Sequence, residues 1–189
     1  MASSTDPLAR SINGLNPQAI IEKITRTKIY ESPFWKERCF GVSAATLVDL
    51  AMNLRAFGGV YGSSSKATDF LCLTLKMLQI QPDKEVILEF IKNEDCKYVR
   101  ILGAFYLRLV GKSFEVYQLL EPLLLDYRKI RHQTSQGNFE LMHVDEFVSA
   151  LLTRDNFCDI SLPRLTHRQL LETSGQLEPR CGVAVKLRE

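Results

Sequence analysis

The most apolar helical segment of the chain is FLCLTLKMLQIQP, residues 70–82. Its apolar residues recur at spacings of three and four, as on the buried side of a helix. They are Phe70, Leu71, Leu73, Leu75, Met77, Leu78 and Ile80. Thr68 can cap the first turn with its hydroxyl, and Pro82 interrupts the helix because it has no amide hydrogen. A helix that is apolar on several sides is expected at the centre of a fold.

Helical patterns continue after Pro82. Residues 83–92 form one amphipathic segment, and residues 96–110 form a longer one that ends at Gly111. A polar joint of three residues separates them. Two helices connected by so short a turn normally pack antiparallel.

The N-terminal part contains similar helix-start signals. Asn16 followed by Pro17 predicts a helix, because the asparagine can cap free amides and the proline ring already holds a helical φ. We expect Ile20, Ile21 and Ile24 to face the core from this helix. A Ser-Pro pair at residues 32–33 opens a second helix in the same way, and Ser43 can cap a third.

Together these patterns predict an all-α fold of about six main helices in antiparallel pairs. The glycine- and serine-rich segment GGVYGSSSK, residues 58–66, is expected to be an exposed loop. Residues 129–131 and 139–141 could pair as one short β-hairpin around a segment of turn composition. Segments of that length are too short to show the alternation of a strand.

Length and composition favour one compact domain. The chain has 189 residues, of which 46% are hydrophobic, and we expect a domain over residues 1–173 followed by a short, flexible tail over 174–189. With 24 Lys and Arg against 22 Asp and Glu, the net charge gives no strong signature of nucleic-acid wrapping. Neither a transmembrane stretch nor a secretory signal is predicted.

The sequence contains no recognisable catalytic or metal-binding motif. There is no G-x-S-x-G, P-loop or H-E-x-x-H pattern. The five cysteines are scattered without C-x-x-C spacing and are interpreted as reduced thiols. They are Cys39, Cys72, Cys96, Cys158 and Cys181. We therefore predict no catalytic, cofactor-binding or metal-binding residue, and an unrecognised hydrolase would need a cleft with perturbed acids or histidines.

Aromatic and basic residues provide the candidate partner-binding sites. They occur in a segment near the N-terminus, in the glycine-rich loop and in a basic stretch near residue 130. The candidates are Tyr30, Trp35, Lys36, Arg38, Tyr61, Arg128, Lys129 and Arg131. Interface centres are rich in Trp, Tyr and Arg, although burial in the core is the commoner fate of a Trp. Direct RNA binding through the basic stretches is the alternative, and it would weaken steeply with salt.

Several longer segments resemble the pre-mRNA splicing factor 38 family, over most of the chain. The segments are NPQ (16–18), IYESPFWKERCFG (29–41), GGVYG (58–62), FLCLTLKMLQIQP (70–82), EFIKNEDCKYVRILGAFYLR (89–108), LEPLLLDYRKIR (120–131), FELMHVDEF (139–147) and LPRL (162–165). The resemblance implies a helical interaction domain without catalytic residues or cofactors. It also implies a nuclear protein of the tri-snRNP or precatalytic spliceosome that takes part in spliceosome activation.

The family resemblance also implies the kind of partner. Family members look like hubs for other spliceosomal proteins, including a zinc-finger protein and long helical partners, with RNA contact indirect or weak and the chain monomeric within a large complex.

The sequence departs from the family pattern at two places. Ala67, Thr68 and Asp69 replace a proline-containing entry to the central helix, and the sequence ends at Glu189 without the Arg-Ser-rich extension of many relatives. Functions that depend on such a tail are not expected here.

Overall fold

The computed structural model describes residues 16–179 together with Thr5, Ala9, Ser11, Ile12 and Gly14. The helices of this part are α1 (Lys23–Glu31), α2 (Pro33–Arg38), α3 (Ala44–Met52), α4 (Asp69–Ile80), α5 (Lys84–Lys92), α6 (Lys97–Val110), α7 (Ser113–Leu120), α8 (Val144–Thr153) and α9 (Arg168–Thr173), with 3-10 turns at Pro17–Ile20 and Glu121–Leu125. The strands are β1 (Phe57–Gly58), β2 (Val60–Tyr61), β3 (Lys66–Ala67), β4 (Lys129–Gln133), β5 (Phe139–His143), β6 (Asn156–Phe157) and β7 (Ile160–Ser161).

The prediction of an all-α fold with about six helices is wrong. The described residues form nine α-helices and three small sheets, so the fold is mixed α/β. Five of the seven strands have only two residues, which is too short for the period-two pattern that reveals a strand in a sequence. The pairing of β1 is also non-local, since its Phe57 pairs in parallel with His132 of β4.

The largest sheet has the strand order β1-β4-β5. Its β4–β5 hairpin lies where a short hairpin was expected, but each strand has five residues, and the register pairs Lys129 with His143 and Gln133 with Phe139. Ile130 of β4 is fully buried, and the His132 ring stacks on Phe57 at 4.9 Å. One face of the hairpin therefore packs on the core, and β5 is the outer strand.

The segment predicted as an exposed loop, residues 58–66, is largely structured. Gly58 and Gly59 are buried, and a Cβ added to Gly59 would lie 2.1 Å from the Asp159 carboxylate and 2.7 Å from the Cys158 carbonyl carbon. Gly59 is therefore required by close packing against the β6–β7 turn, and not by a positive φ.

The prediction that the segment 70–82 forms a central helix is confirmed. Every residue of α4 from Phe70 to Gln79 is buried, and the Thr68 hydroxyl accepts a hydrogen bond from the Leu71 amide at 3.3 Å. Helix α6 is buried from Ile101 to Leu109. Phenylalanines from several elements meet beside these helices, with ring centroids 4.9–6.5 Å apart. They are Phe57, Phe70, Phe105, Phe147 and Phe157.

The first predicted helix is divided. Asn16 does cap a helical turn, since its side chain accepts from the Gln18 amide at 3.0 Å, but the chain becomes extended at Ile21 and α1 begins only at Lys23. The break changes the helical phase, so that Ile21 is buried whereas Ile24 is 69% exposed.

The C-terminal end of the described part follows α9. Residues 174–177 form a turn followed by a bend, and the Gln176 amide donates to the Leu171 carbonyl at 2.9 Å. The rest of the expected tail, residues 180–189, lies outside the described residues. Among the helices that the structure describes, none combines the length and the apolar character needed to cross a bilayer.

Candidate protein-interaction surface

The aromatic pair predicted near the N-terminus lies largely inside the fold. Trp35 is only 3% exposed, and its ring lies 5.5 Å from that of Tyr30. The Tyr30 hydroxyl donates to Gln18 at 2.6 Å, and burial raises the pKa of this tyrosine. The ammonium of the buried Lys76 lies 5.8 Å from the Trp35 ring, and burial lowers the pKa of this lysine. These two rings thus contribute mainly to packing between α1, α2 and α4.

The basic residues of α2 remain at the surface. Lys36 and Arg38 are both exposed, and neither has an ion-pair partner among the described residues. Phe40, two residues beyond the end of α2, is 70% exposed. In this segment the aromatic side chain available to a partner is Phe40, which is absent from the list of candidate residues given above.

The three basic residues of the second candidate segment have different environments. Arg128 is held by Asp126, whose carboxylate accepts from Arg128 at 2.6 Å and from Arg100 of α6 at 2.7 Å. Burial by itself would raise the pKa of Asp126, but the hydrogen bonds from Arg128 and Arg100 outweigh it and hold the pKa at about 2. Arg128 also donates to the carbonyl of Glu94. This arginine therefore fastens the base of the hairpin to α6.

Lys129 and Arg131 lie on the outer face of the hairpin. Strand alternation places Phe139 and Leu141 of β5 on the same face, because Arg131 pairs with Leu141 and Gln133 with Phe139. The Arg131 guanidinium lies 4.4 Å from the centroid of the Phe139 ring, a cation–π contact. Phe139 is 52% and Leu141 63% exposed, so this outer face combines basic and apolar side chains.

Tyr61 lies beside the turn of the hairpin. The amide of the next residue, Gly62, donates to the Ser135 carbonyl at 2.8 Å, and the Tyr61 ring approaches Gly137. The structure therefore brings Tyr61 next to the hairpin that carries Lys129 and Arg131, a proximity that their sequence separation had hidden.

A groove of about 630 Å³ lies at the opposite end of the hairpin. Its apolar walls include Tyr127, Leu141 and Met142, and Asp145 and Glu146 at the start of α8 provide carboxylates. Ser149, Ala150 and Thr153 of α8 add small side chains along it. Of the eight large apolar side chains that the described residues expose, four lie between residues 125 and 141. These are Leu125, Tyr127, Phe139 and Leu141.

The histidine–carboxylate pair at the start of α8 and two buried thiols have structural environments. His143 and Glu146 lie 3.2 Å apart, but they form the capping box of α8. Burial raises the pKa of the Cys39 and Cys72 thiols to about 12. These thiols stay protonated at neutral pH and are therefore poor nucleophiles.

Comparison with known proteins gives a consistent result. The profile of the PRP38 family matches residues 10–175. Pre-mRNA-splicing factor 38 of Arabidopsis thaliana is 62% identical over 183 residues, 97% of this chain and 52% of its own length. Pre-mRNA-splicing factor 38A of Homo sapiens is 61% identical over 180 residues, 95% of this chain and 58% of its own length. This chain thus spans about half the length of the curated relatives it matches.

A solved structure is similar as well. The fold superposes with a TM-score of 0.87 on a chain from the crystal structure of the Snu23-Prp38-MFAP1(217-258) complex of Chaetomium thermophilum. The two chains are 45% identical, and the match covers 94% of this chain and 92% of the other.

Proposed function

The chain belongs to the PRP38 family, and on that premise we propose that it is a non-enzymatic scaffold of pre-mRNA splicing. In this proposal it acts in the nucleus, within the tri-snRNP or the precatalytic spliceosome, and holds other spliceosomal proteins in place during activation. Its partners are the counterparts of Snu23 and MFAP1 in its own organism, one of them a zinc-finger protein and one contributing a long helix.

The observation that carries the proposal is the likeness to a chain that was solved in a three-protein complex. The match extends over 94% of the chain at 45% identity, so it includes nearly all of the surface that a partner could use. Fold alone does not imply function, but identity at this level over this length retains many surface positions as well as the core.

The distribution of exposed side chains supports the same function. Phe40 with Lys36 and Arg38 forms one candidate site, and the hairpin with Lys129 and Arg131 forms a second. Apolar and basic side chains exposed together are frequent at protein interfaces, where aromatic residues and Arg are enriched. Two separate sites fit a protein that holds more than one partner.

The purified chain should be used as bait in nuclear extract, with and without nuclease, and the captured proteins identified by mass spectrometry. Capture of splicing proteins that survives nuclease is expected. Loss of every partner after nuclease treatment would favour the RNA-binding alternative, and capture without any splicing protein would contradict the scaffold function.

Charge-reversed baits locate the two candidate sites. Lys36→Glu with Arg38→Glu alters the first, and Lys129→Glu with Arg131→Glu alters the second. Because these side chains are exposed, both baits are expected to fold and each to lose a different subset of partners. Identical capture by the wild-type bait and both variants would show that these residues do not lie in the interface.

A further inference from the structure

Strand β5 is the free edge of the three-stranded sheet. Two backbone hydrogen bonds fix which of its groups face β4. The Thr134 amide donates to the Asn138 carbonyl at 2.9 Å, and the Val144 amide donates to the Arg128 carbonyl at 3.1 Å. In an antiparallel pair such bonds recur at every second residue. The even-numbered residues of β5 therefore bond to β4, and the odd-numbered residues direct their amides and carbonyls outwards.

The hydrogen bond of His143 agrees with this alternation. Its amide donates to the Glu146 carboxylate at 2.8 Å and not to β4. The outward-facing backbone groups of Phe139 and Leu141 have no hydrogen-bond partner within the part of the chain that the structure describes. The edge thus presents two amides and two carbonyls to solvent.

The side chains of this edge are unusual for a free strand. Natural sheets usually protect such edges with lysines, prolines or bulges that prevent pairing with another chain. Here Phe139 and Leu141 are 52% and 63% exposed, and Glu140 between them is the charged residue of the strand. An apolar edge with free backbone groups is well suited to pairing with another strand.

The groove described above meets the same edge at Leu141 and Met142. Leu141 and Met142 point to opposite faces of β5, yet both line the groove. The groove must therefore run past the edge of the strand, and not over one face of the sheet. Asp145, Glu146 and Arg154 line it, so two carboxylates and one guanidinium lie on the α8 side of this edge, and Glu140 adds a third carboxylate on the strand itself.

From this geometry we propose that β5 binds an extended segment of a partner protein as an added strand. Backbone hydrogen bonds to Phe139 and Leu141 would hold the segment, and alternation would bring its apolar side chains beside these two residues. The residues between them would be Lys or Arg, because Glu140 and the two carboxylates of the groove outnumber the single guanidinium of Arg154 there. As a statement about a splicing partner, the proposal rests on the scaffold function, but the edge can be tested without any splicing component.

The same surface is less suited to RNA. One face of the Phe139 ring is already covered by the Arg131 guanidinium, which removes a stacking surface for a base. Glu140, Asp145 and Glu146 would also repel phosphate groups at this edge and oppose their attraction to Lys129, Arg131 and Arg154. We therefore infer a basic peptide as the occupant, and RNA binding becomes an outcome of the test.

The probe is a labelled short peptide that alternates valine with lysine, and binding is followed by fluorescence anisotropy. Leu141→Lys is expected to weaken binding about tenfold, because it removes an apolar contact and places a lysine beside the lysines of the peptide. Leu170→Lys is the matched control, since Leu170 is 61% exposed but lies on α9, and it should leave the affinity unchanged. A peptide that alternates valine with glutamate should not bind.

Amide hydrogen exchange by NMR tests the strand geometry itself. Bound peptide should slow exchange at Phe139 and Leu141, whose amides are free, and leave Glu140 and Met142, which are already paired with β4, unchanged. The proposal would be overturned if the peptide did not bind, or if Leu141→Lys and Leu170→Lys weakened peptide binding equally. It would also be overturned if the bound peptide did not slow exchange at the odd-numbered amides. Binding of labelled oligouridylate in place of the peptide would also overturn it. Such a failure would leave the capture of splicing proteins from extract unaffected, so the two proposals can fail separately.

Discussion

Helix α4 and the β4–β5 hairpin both contain large apolar residues, but they differ in where those residues point. Helix α4 buries every residue from Phe70 to Gln79, whereas the hairpin buries Ile130 and exposes Phe139 and Leu141. Apolar side chains of the first kind stabilise the fold, and those of the second kind remain available to a partner. The apolar content of a segment therefore does not reveal its role until its burial is known.

The largest expected effect is in the core. Phe70→Ala should lower the free energy of unfolding by about 3–5 kcal/mol, because it removes a fully buried ring and leaves a cavity among the neighbouring phenylalanines. Urea denaturation of the variant and the wild type measures the difference. A loss below about 1 kcal/mol would contradict the role given to this cluster.

Asp126 joins the hairpin to the helical core, since its carboxylate binds Arg100 of α6 and Arg128 at the hairpin base. Asp126→Asn should cost about 1–3 kcal/mol near neutral pH, because hydrogen bonds to charged groups are lost. The folded pKa of about 2 is below the unfolded value of about 3.9. The stabilisation is thus fully present above about pH 5 and is lost progressively as the pH falls towards 2.

Urea denaturation of the wild type and the Asn variant between neutral pH and pH 3 measures this dependence. The stability difference between them should be constant above about pH 5 and shrink in more acidic solution. A difference that does not change with pH would show that the ion pairs are not its source.

Gly103 tests the packing of α6 against α5. A Cβ at this position would lie 2.6 Å from the Cβ of Phe90, so Gly103→Ala should destabilise by about 1–2 kcal/mol even though Ala favours a helix more than Gly does. Thermal and urea unfolding of the variant and the wild type both measure this loss of stability. A variant more stable than the wild type would mean that α5 and α6 can move apart at little cost.

The smallest effect is expected at the hairpin surface. Phe139→Ala should change the free energy of unfolding by no more than about 1 kcal/mol, since it loses a half-exposed ring and its contact with Arg131. Measured under the same conditions as Phe70→Ala, it compares a buried and an exposed phenylalanine directly. Equal losses of unfolding free energy in Phe70→Ala and Phe139→Ala would show that the buried and the exposed phenylalanine contribute equally to stability.

The helical part of this architecture could be predicted from the sequence, because it depends on local patterns. The caps at Asn16 and Thr68 form as expected, and the patterns at 83–92 and 96–110 correspond closely to α5 and α6. The division of the first helix at Ile21 was not predicted. The spacing of its isoleucines fits one continuous helix equally well, and only the extended backbone at Ile21 distinguishes the two cases.

The sheets and most of the exposed surface could not be predicted in the same way. Pairing of Phe57 with His132 depends on tertiary packing, and a strand of two residues has no periodicity. Of the candidate residues, Lys36, Arg38, Lys129 and Arg131 are exposed, since charged side chains rarely leave the surface. Trp35 is buried, whereas Phe40 and Leu141 are exposed, because composition does not show which apolar side chain the fold leaves outside.

A scaffold of the kind proposed must bind splicing proteins directly. The most direct measurement mixes the purified chain with the purified counterparts of Snu23 and MFAP1, without RNA, and determines the mass of the product by size-exclusion chromatography with light scattering. A complex containing one copy of each protein is predicted. Elution of the three proteins as separate species would contradict the account.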